Sequence, residues 1–252
     1  LKRESDTPSL ILSGGCRRGW RPIVAGALEK LPAEYLSYLL ENREYLPGKE
    51  RLLAAFDAME PDEVKYILFG QDPYPRRESA TGYAFMDGRV DRIFCEKGLC
   101  KEVNRATSLR NFMKMLLVAA GELKCGDLSQ SAIASIAKDG MIETMDELKD
   151  KLSDAGVLLL NSSLVFDGAA NSGKHISLWR PFMESLLDAL SAYDVKLILF
   201  GAHAAKIEKL EAAAKMEKIK LPHPYNHSFI CLKEALELFG SMDLLFSKGL
   251  KS

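Results

Sequence analysis

No apolar run in this 252-residue sequence approaches the ~20 residues that cross a bilayer, so no membrane-spanning helix is expected. The opening stretch LKRESDTPSL has no apolar h-region, and no secretory signal is read there. Cysteine is sparse. The five (Cys16, Cys95, Cys100, Cys125, Cys231) form no C-x-x-C pair, and an odd, scattered set argues for free thiols in a reducing, cytoplasmic compartment rather than a disulfide frame. Only Cys95 and Cys100 lie close in sequence, which leaves no spacing for a four-cysteine iron–sulfur cluster. Strong charge of one sign is missing too. A net charge of −1 gives no global signature of a nucleic-acid binder, although a local basic face would be enough to hold phosphates. Arg17, Arg18 and Arg21, then Arg76 and Arg77, then Arg105, Arg110 and Lys114 are the local candidates. The remainder, 47 % hydrophobic and 27 % charged, has the balance of a soluble globular protein, and its length suits one α/β domain or two small ones.

What is present is organised around VKYILFGQDPYPRRESATGYAFM, residues 64–86. Val64, Tyr66, Ile67, Leu68 and Phe69 form a short apolar run that reads as a buried strand. The run stops at Gly70, and Gln71, Asp72 and Tyr74 follow at once, with Pro73 and Pro75 fixing φ on either side of Tyr74. A carboxylate and a phenol therefore sit on a stiff loop at the carboxyl end of a core strand, where open α/β sheets bind ligands. Phe85, ten residues after Pro75, can return to the same mouth.

In chain order, 1–19 reads as an irregular arm, and 20–252 as the folded domain. Pro22 fits the first turn of a helix that runs to Leu31 and ends at Pro32; Glu34–Glu44 is helical; Leu46-Pro47-Gly48 breaks the chain; Lys49–Met59 is a further helix. Asp87–Arg105 carries no clear pattern, and Gly121–Gly140 reads as helix with loops. Thr107 and Ser108 precede an amphipathic helix, where Ser108 reads as an N-cap that could also offer its hydroxyl and backbone N–H groups to a phosphate. Met145–Ala155 is a helix closed by Gly156, and Val157–Asn161 a strand ending in a carboxamide able to pair with a pyrimidine edge. After a Gly-rich loop and His175, Pro181 opens a helix to Ala192; Val195–Phe200 is a third strand, with a helix starting at Gly201-Ala202-His203. Ala204–Met216 reads as an exposed helix, Lys218–Leu221 as a fourth strand running into Pro222-His223-Pro224, and Phe229–Leu238 as the last helix. The alternation predicts an α/β fold: a single-domain, three-layer α/β/α arrangement with a central, mostly parallel four-stranded sheet. Each strand ends in polar residues of interest (Gln71/Asp72, Asn161, Gly201/His203, His223), which points to one composite site.

Several of these segments carry a resemblance. GQDPYP followed by ATGYAF, GVLLLN before Ser162, the NSGKHISLW stretch, Gly201-Ala202-His203, and His223-Pro224 are similar to the signature segments of the family-1 uracil-DNA glycosylases, which remove uracil from DNA. YLPGKERLLAAF also looks like the family's segment before its first strand. The resemblance implies an enzyme without metal or cofactor that flips its target base out of the stack. It implies that Asp72 orients the attacking water and stabilises the oxocarbenium-like sugar, and that His223 donates a hydrogen bond to the developing oxyanion on uracil O2. It further implies that Asn161 reads the uracil edge, that Phe85 stacks on the base, that Tyr74 stands where a 5-methyl group would go, and that Gln71 completes the pocket largely through its backbone. Ser108, Arg76, Tyr225, His227 and Ser228 are the implied contacts to DNA, and His175 is read as structural.

Two departures stand out. Pro75 occupies a position where most members carry His; viral members resemble this chain there, and some of those are also replication processivity subunits. After His223-Pro224, Tyr225-Asn226-His227-Ser228 runs almost directly into the last helix, so the loop that bears the family's wedge Leu is shortened. The resulting expectation is a monomer that favours single-stranded uracil-containing DNA and binds DNA-mimic inhibitor proteins weakly or not at all. A non-catalytic DNA-binding or replication-processivity module on the same fold, and a glycosylase for another deaminated base, remain as alternatives.

Overall fold

The computed structural model describes residues 11–12 and 15–247. In chain order the principal elements are α1 (Trp20–Leu28), α2 (Ala33–Glu41), β1 (Tyr66–Gly70), β2 (Phe94–Cys95), β3 (Gly98–Leu99), α3 (Lys101–Arg105), α4 (Thr107–Ala119) and α5 (Gln130–Ala134). They continue with α6 (Met145–Asp154), β4 (Val157–Asn161), α7 (Ser172–Leu190), β5 (Lys196–Phe200), α8 (Ala204–Ile207), β6 (Lys218–Leu221) and α9 (Lys233–Gly240). The chain forms two compact units, one from Leu1–Asp87 with Gly156–Ile219, the other from Gly88–Ala155 with Lys220–Ser252. The irregular arm expected at 1–19 lies largely outside the described residues.

In the first unit β1 pairs in parallel with β4 on one side and with β5 on the other, within a sheet of order β4-β1-β5-β6. The four strands fall where the apolar runs place them, to within a residue or two. Ile67, Phe69, Leu158, Leu160, Leu197 and Leu199 share one core with Trp20, Val24 and Leu28 of α1 and with Trp179 and Phe182 of α7. The alternate residues Leu68, Leu159 and Ile198 are buried as well, as in parallel sheets covered on both faces. Trp20 locks α1 by donating from its indole to the Met59 carbonyl (2.6 Å) and by edge contact with Phe56.

The second unit is built around α4. Phe112 stacks on Phe229 at 6.4 Å and meets Phe239 edge-on at 5.0 Å, which ties α4 to α9 and to a 3₁₀ segment at His227–Cys231. β2 and β3 form a small antiparallel hairpin within the stretch that carried no sequence pattern. Thr144 and Glu147 form a reciprocal capping box at the start of α6.

Tertiary forces override local pattern at several points. The helix expected at Lys49–Met59 is instead a pair of 3₁₀ turns, Lys49–Arg51 and Ala54–Asp57, on which Gly82 packs directly: a Cβ there would lie 2.3 Å from the Arg51 carbonyl oxygen. Pro181 does not open a helix but sits inside α7. The bond it forfeits to Ser177 is outweighed by a continuous buried face that includes His175, Trp179, Phe182, Met183 and Leu186. The helix expected over Ala204–Met216 stops at Ile207, and both carboxylate oxygens of Glu184 take the N–H groups of Glu211 and Ala212 (3.0 Å each) to start a separate turn. That segment is exposed on one side only, since Ile207, Leu210, Ala213 and Met216 are buried while Lys206, Lys209 and Lys215 are exposed. Extended Leu232 divides the last expected helix into the 3₁₀ segment and α9. The reading of all cysteines as free thiols is also corrected: Cys125 and Cys231 form a disulfide within the second unit, while Cys16, Cys95 and Cys100 are free.

Candidate active site

β1 delivers the polar loop. Its last residue, Gly70, pairs with Asn161, the last residue of β4, so Gln71–Asp72 and the Asn161 carboxamide leave the sheet on one rung. Beyond that rung the two chains stay joined: Ser162 N–H donates to the Gly70 carbonyl and Ser163 N–H to that of Gln71, both at 3.0 Å. Glycine is required at position 70 by close approach, since a Cβ would stand 2.2 Å from Asn161 Oδ1 and 2.9 Å from the Ala84 methyl. Asn161 is thereby folded against β1 and is 4 % exposed.

The TGYAF segment returns to this end of the sheet, where Ala84 N–H donates to the Leu159 carbonyl at 3.2 Å. Phe85 adopts a left-handed backbone (φ 64°), an uncommon conformation for a residue with a side chain, and its half-buried ring meets Phe200 at the end of β5 edge-on at 5.7 Å. The Tyr74 phenol donates to the Phe85 carbonyl at 3.5 Å. Burial, reinforced by the nearby Asp87 carboxylate, pushes the Tyr74 hydroxyl up to about 12, so it is neutral at physiological pH. Asp72 is half-buried and accepts a hydrogen bond from the Ser172 hydroxyl, which in turn accepts one from Gln71 Nε2 at 3.3 Å. Ser172 is the first residue of α7, and its Gly-rich flank gave no sequence signal for this contact.

In the second unit, His223 follows β6 and is half-buried. Its Nδ1 accepts from the Tyr225 backbone N–H at 3.1 Å, which places the proton of the neutral ring on Nε2. Burial lowers its pKa from the ordinary histidine value and keeps the ring neutral at physiological pH. Asn111 of α4, 2 % exposed, donates to the carbonyls of Pro224 (2.8 Å) and Tyr225 (3.3 Å) and so holds the segment behind His223. Sequence reading passed over Asn111, three residues beyond Ser108 on the same helix. Tyr225 is 67 % exposed, and His227 and Ser228 are exposed with it.

Ser108 is not an N-cap: α4 starts one residue earlier, Ala106 holds the cap position, and no side chain caps it. Among the basic candidates, Lys114 is engaged internally, donating to the Leu128 carbonyl at 2.7 Å, with its pKa lowered by burial and by Arg110. Arg76 and Arg77 are exposed beside the Asp72 loop. His175 is buried within the first unit, its Nδ1 2.6 Å from the Tyr35 hydroxyl and its Nε2 3.0 Å from Asp167 Oδ1. The side chain of His203 lies outside the described portion.

A parallel α/β sheet whose strands present a carboxylate, a carboxamide, a neutral phenol and an aromatic ring at their carboxyl ends defines a ligand-binding enzyme of the α/β class. No protein-family model matches the chain. It is 31 % identical over 215 residues to a uracil-DNA glycosylase of Fusobacterium nucleatum, spanning 81 % of this chain and 80 % of that one. It is 26 % identical over 193 residues to a uracil-DNA glycosylase of Streptococcus suis, over 76 % of this chain and 74 % of its relative. In structure it resembles the wild-type UNG of Nitratifractor salsuginis with a TM-score of 0.95 and 49 % identity, covering 98 % of this chain and all of the other. The mimivirus uracil-DNA glycosylase, at 20 % identity and a TM-score of 0.56, shares the fold. The chain belongs to the uracil-DNA glycosylases.

Proposed function

We infer that the protein is a monofunctional uracil-DNA glycosylase of base-excision repair, hydrolysing the N-glycosidic bond of uracil in DNA to leave an abasic site. The observation that supports this reading is the pairing of Gly70 with Asn161, which brings the Asn161 carboxamide to the end of β1 from which the Asp72 loop leaves, in a chain that belongs to this family. Cleavage of the bond builds positive charge on the sugar and negative charge on the departing base, and each needs a counterpart. Asp72 orients the attacking water and stabilises the sugar cation. His223, neutral with its proton on Nε2, donates to the developing oxyanion on uracil O2. Asn161 reads the uracil edge, Phe85 stacks on the base, Gln71 lines the pocket through its backbone, and the neutral Tyr74 ring excludes a 5-methyl group.

Ser108, Arg76, Tyr225, His227 and Ser228 contact the DNA, in a catalytic domain spanning 20–252. The enzyme acts as a monomer. The turn after His223 is short, with Asn226 N–H already returning to the His223 carbonyl at 2.9 Å, and Tyr225 stands exposed in place of a wedge Leu. This supports a preference for single-stranded substrate and weak binding of DNA-mimic inhibitors. Comparable rates on matched single- and double-stranded substrates would overturn the first; complete inhibition at stoichiometric inhibitor would overturn the second.

The test is uracil release from a labelled single-stranded oligonucleotide by wild type, Asp72→Asn and His223→Ala. Release by wild type that collapses in both folded variants is expected. A folded, DNA-binding wild type that releases no uracil would refute the assignment in favour of a non-catalytic module.

A further inference from the structure

We propose that Ser172 is a positioning residue for the Asp72 carboxylate, an inference that rests on the glycosylase reading above. A hydroxyl carries a single proton. Ser172 spends it on Asp72 Oδ2, so toward Gln71 it can act only as an acceptor, and the 3.3 Å contact must come from Gln71 Nε2. The relay therefore runs one way, from amide to hydroxyl to carboxylate, and sets the rotation of both Gln71 and Asp72. One carboxylate oxygen is occupied, which leaves Oδ1 to accept from water.

The placement suits the task. Ser172 is 8 % exposed and opens the 19-residue helix α7, whose Trp179, Phe182, Met183 and Leu186 are packed into the core at 2 % exposure or less. The preceding cap residue, Asn171, makes no side-chain capping bond, and the Ser172 hydroxyl bonds to Asp72. The helix N-terminus adds a favourable field for the negative charge. On the loop of Asp72 itself, Pro73 and Pro75 can offer it neither a side-chain donor nor a backbone N–H.

The experiment compares Ser172→Ala and Ser172→Thr in wild-type and Asp72→Asn backgrounds. It reads single-turnover uracil release and the affinity for an oligonucleotide carrying a non-cleavable 2′-fluoro-deoxyuridine. Ser172→Ala is expected to slow release by about tenfold or more with affinity nearly unchanged, and Ser172→Thr to restore most of the rate. In the Asp72→Asn background Ser172→Ala should add less than about twofold, because the hydroxyl acts through the carboxylate. A full, multiplicative loss in that background, a loss confined to affinity, or a Thr variant as slow as Ala would each overturn the proposal. Where Ser172→Ala does not fold, Ser172→Cys, a weak donor of similar volume, carries the same comparison. Absence of uracil release by wild type would refute the glycosylase reading itself, whereas a fast wild type matched by Ser172→Ala would refute only the positioning role.

Discussion

Replacing Gly70 with alanine tests the geometry of the site at its tightest point. The added methyl would stand 2.2 Å from Asn161 Oδ1 and 2.9 Å from the Ala84 methyl. Ordinary contacts begin near ~3.5 Å, so the carboxamide has to retreat by about 1 Å or leave its rotamer. Neither route is open without cost, because Asn161 is 4 % exposed and Gly70 is locked to the β4 segment by bonds from Ser162. Overpacking of this kind costs about 1–3 kcal/mol, and at roughly 2–4 °C per kcal/mol the melting temperature should fall by about 2–12 °C. A displacement of about 1 Å at a substrate-reading group should also slow uracil release by on the order of a hundredfold. Circular-dichroism melting and single-turnover release from a labelled oligonucleotide read the two effects. Gly26→Ala is the control: a Cβ there meets nothing within 4 Å inside α1, and the substitution should be neutral or stabilising. A Gly70→Ala protein that melts and cleaves like wild type would refute the close approach on which the site is built.

Asn111→Leu should unfasten the segment behind His223, losing about 1–3 kcal/mol from the unmet carbonyls of Pro224 and Tyr225 and lowering turnover more than DNA affinity; unchanged melting and turnover would count against it. Cys125→Ser should destabilise the protein by about 2–4 kcal/mol, matched by wild type in reductant and not deepened when the two are combined; denaturant midpoints check this. His223 also gives a pH signature. Its folded pKa is depressed by burial, so the stability it contributes is present above the unfolded value of 6.5 and is lost as pH falls through the folded value. His223→Gln should therefore flatten the loss of stability as pH falls through and below 6.5, and an unchanged slope would refute the buried-imidazole account.

The strands were legible because a parallel strand buried on both faces has to be a short apolar run, and VLLLN and KLILF are that and little else. The polar residues that end them were legible for the same reason, since hydrophobicity stops where the sheet opens. Helical periodicity was less reliable. It could not foresee that Lys49–Met59 would form 3₁₀ turns under the close approach of Gly82, nor that the buried face of α7 would carry helix straight through Pro181. Ser172 and Asn111 were invisible for another reason. Their partners lie 100 and 113 residues away in sequence, and a lone Ser in a Gly-rich stretch or Asn on an amphipathic helix carries no periodic signal. The Cys125–Cys231 pair escaped by the same route, because spacing rules find near neighbours and this bond closes a separation of 106 residues.

The shared rung of Gly70 and Asn161 also limits how this protein can vary. Each residue along a strand advances the chain by about 3.3 Å and turns the side chain to the opposite face. A single insertion or deletion within Tyr66–Gly70 or Val157–Asn161 would therefore slide the loop past the carboxamide, and one within Val157–Asn161 would also turn that carboxamide to the opposite face of the sheet. Length changes can be absorbed only outside these two strands. Among natural variants, the spacing from the first apolar residue of each strand to Asp72 and to Asn161 should stay fixed even where the loops between them differ freely in size.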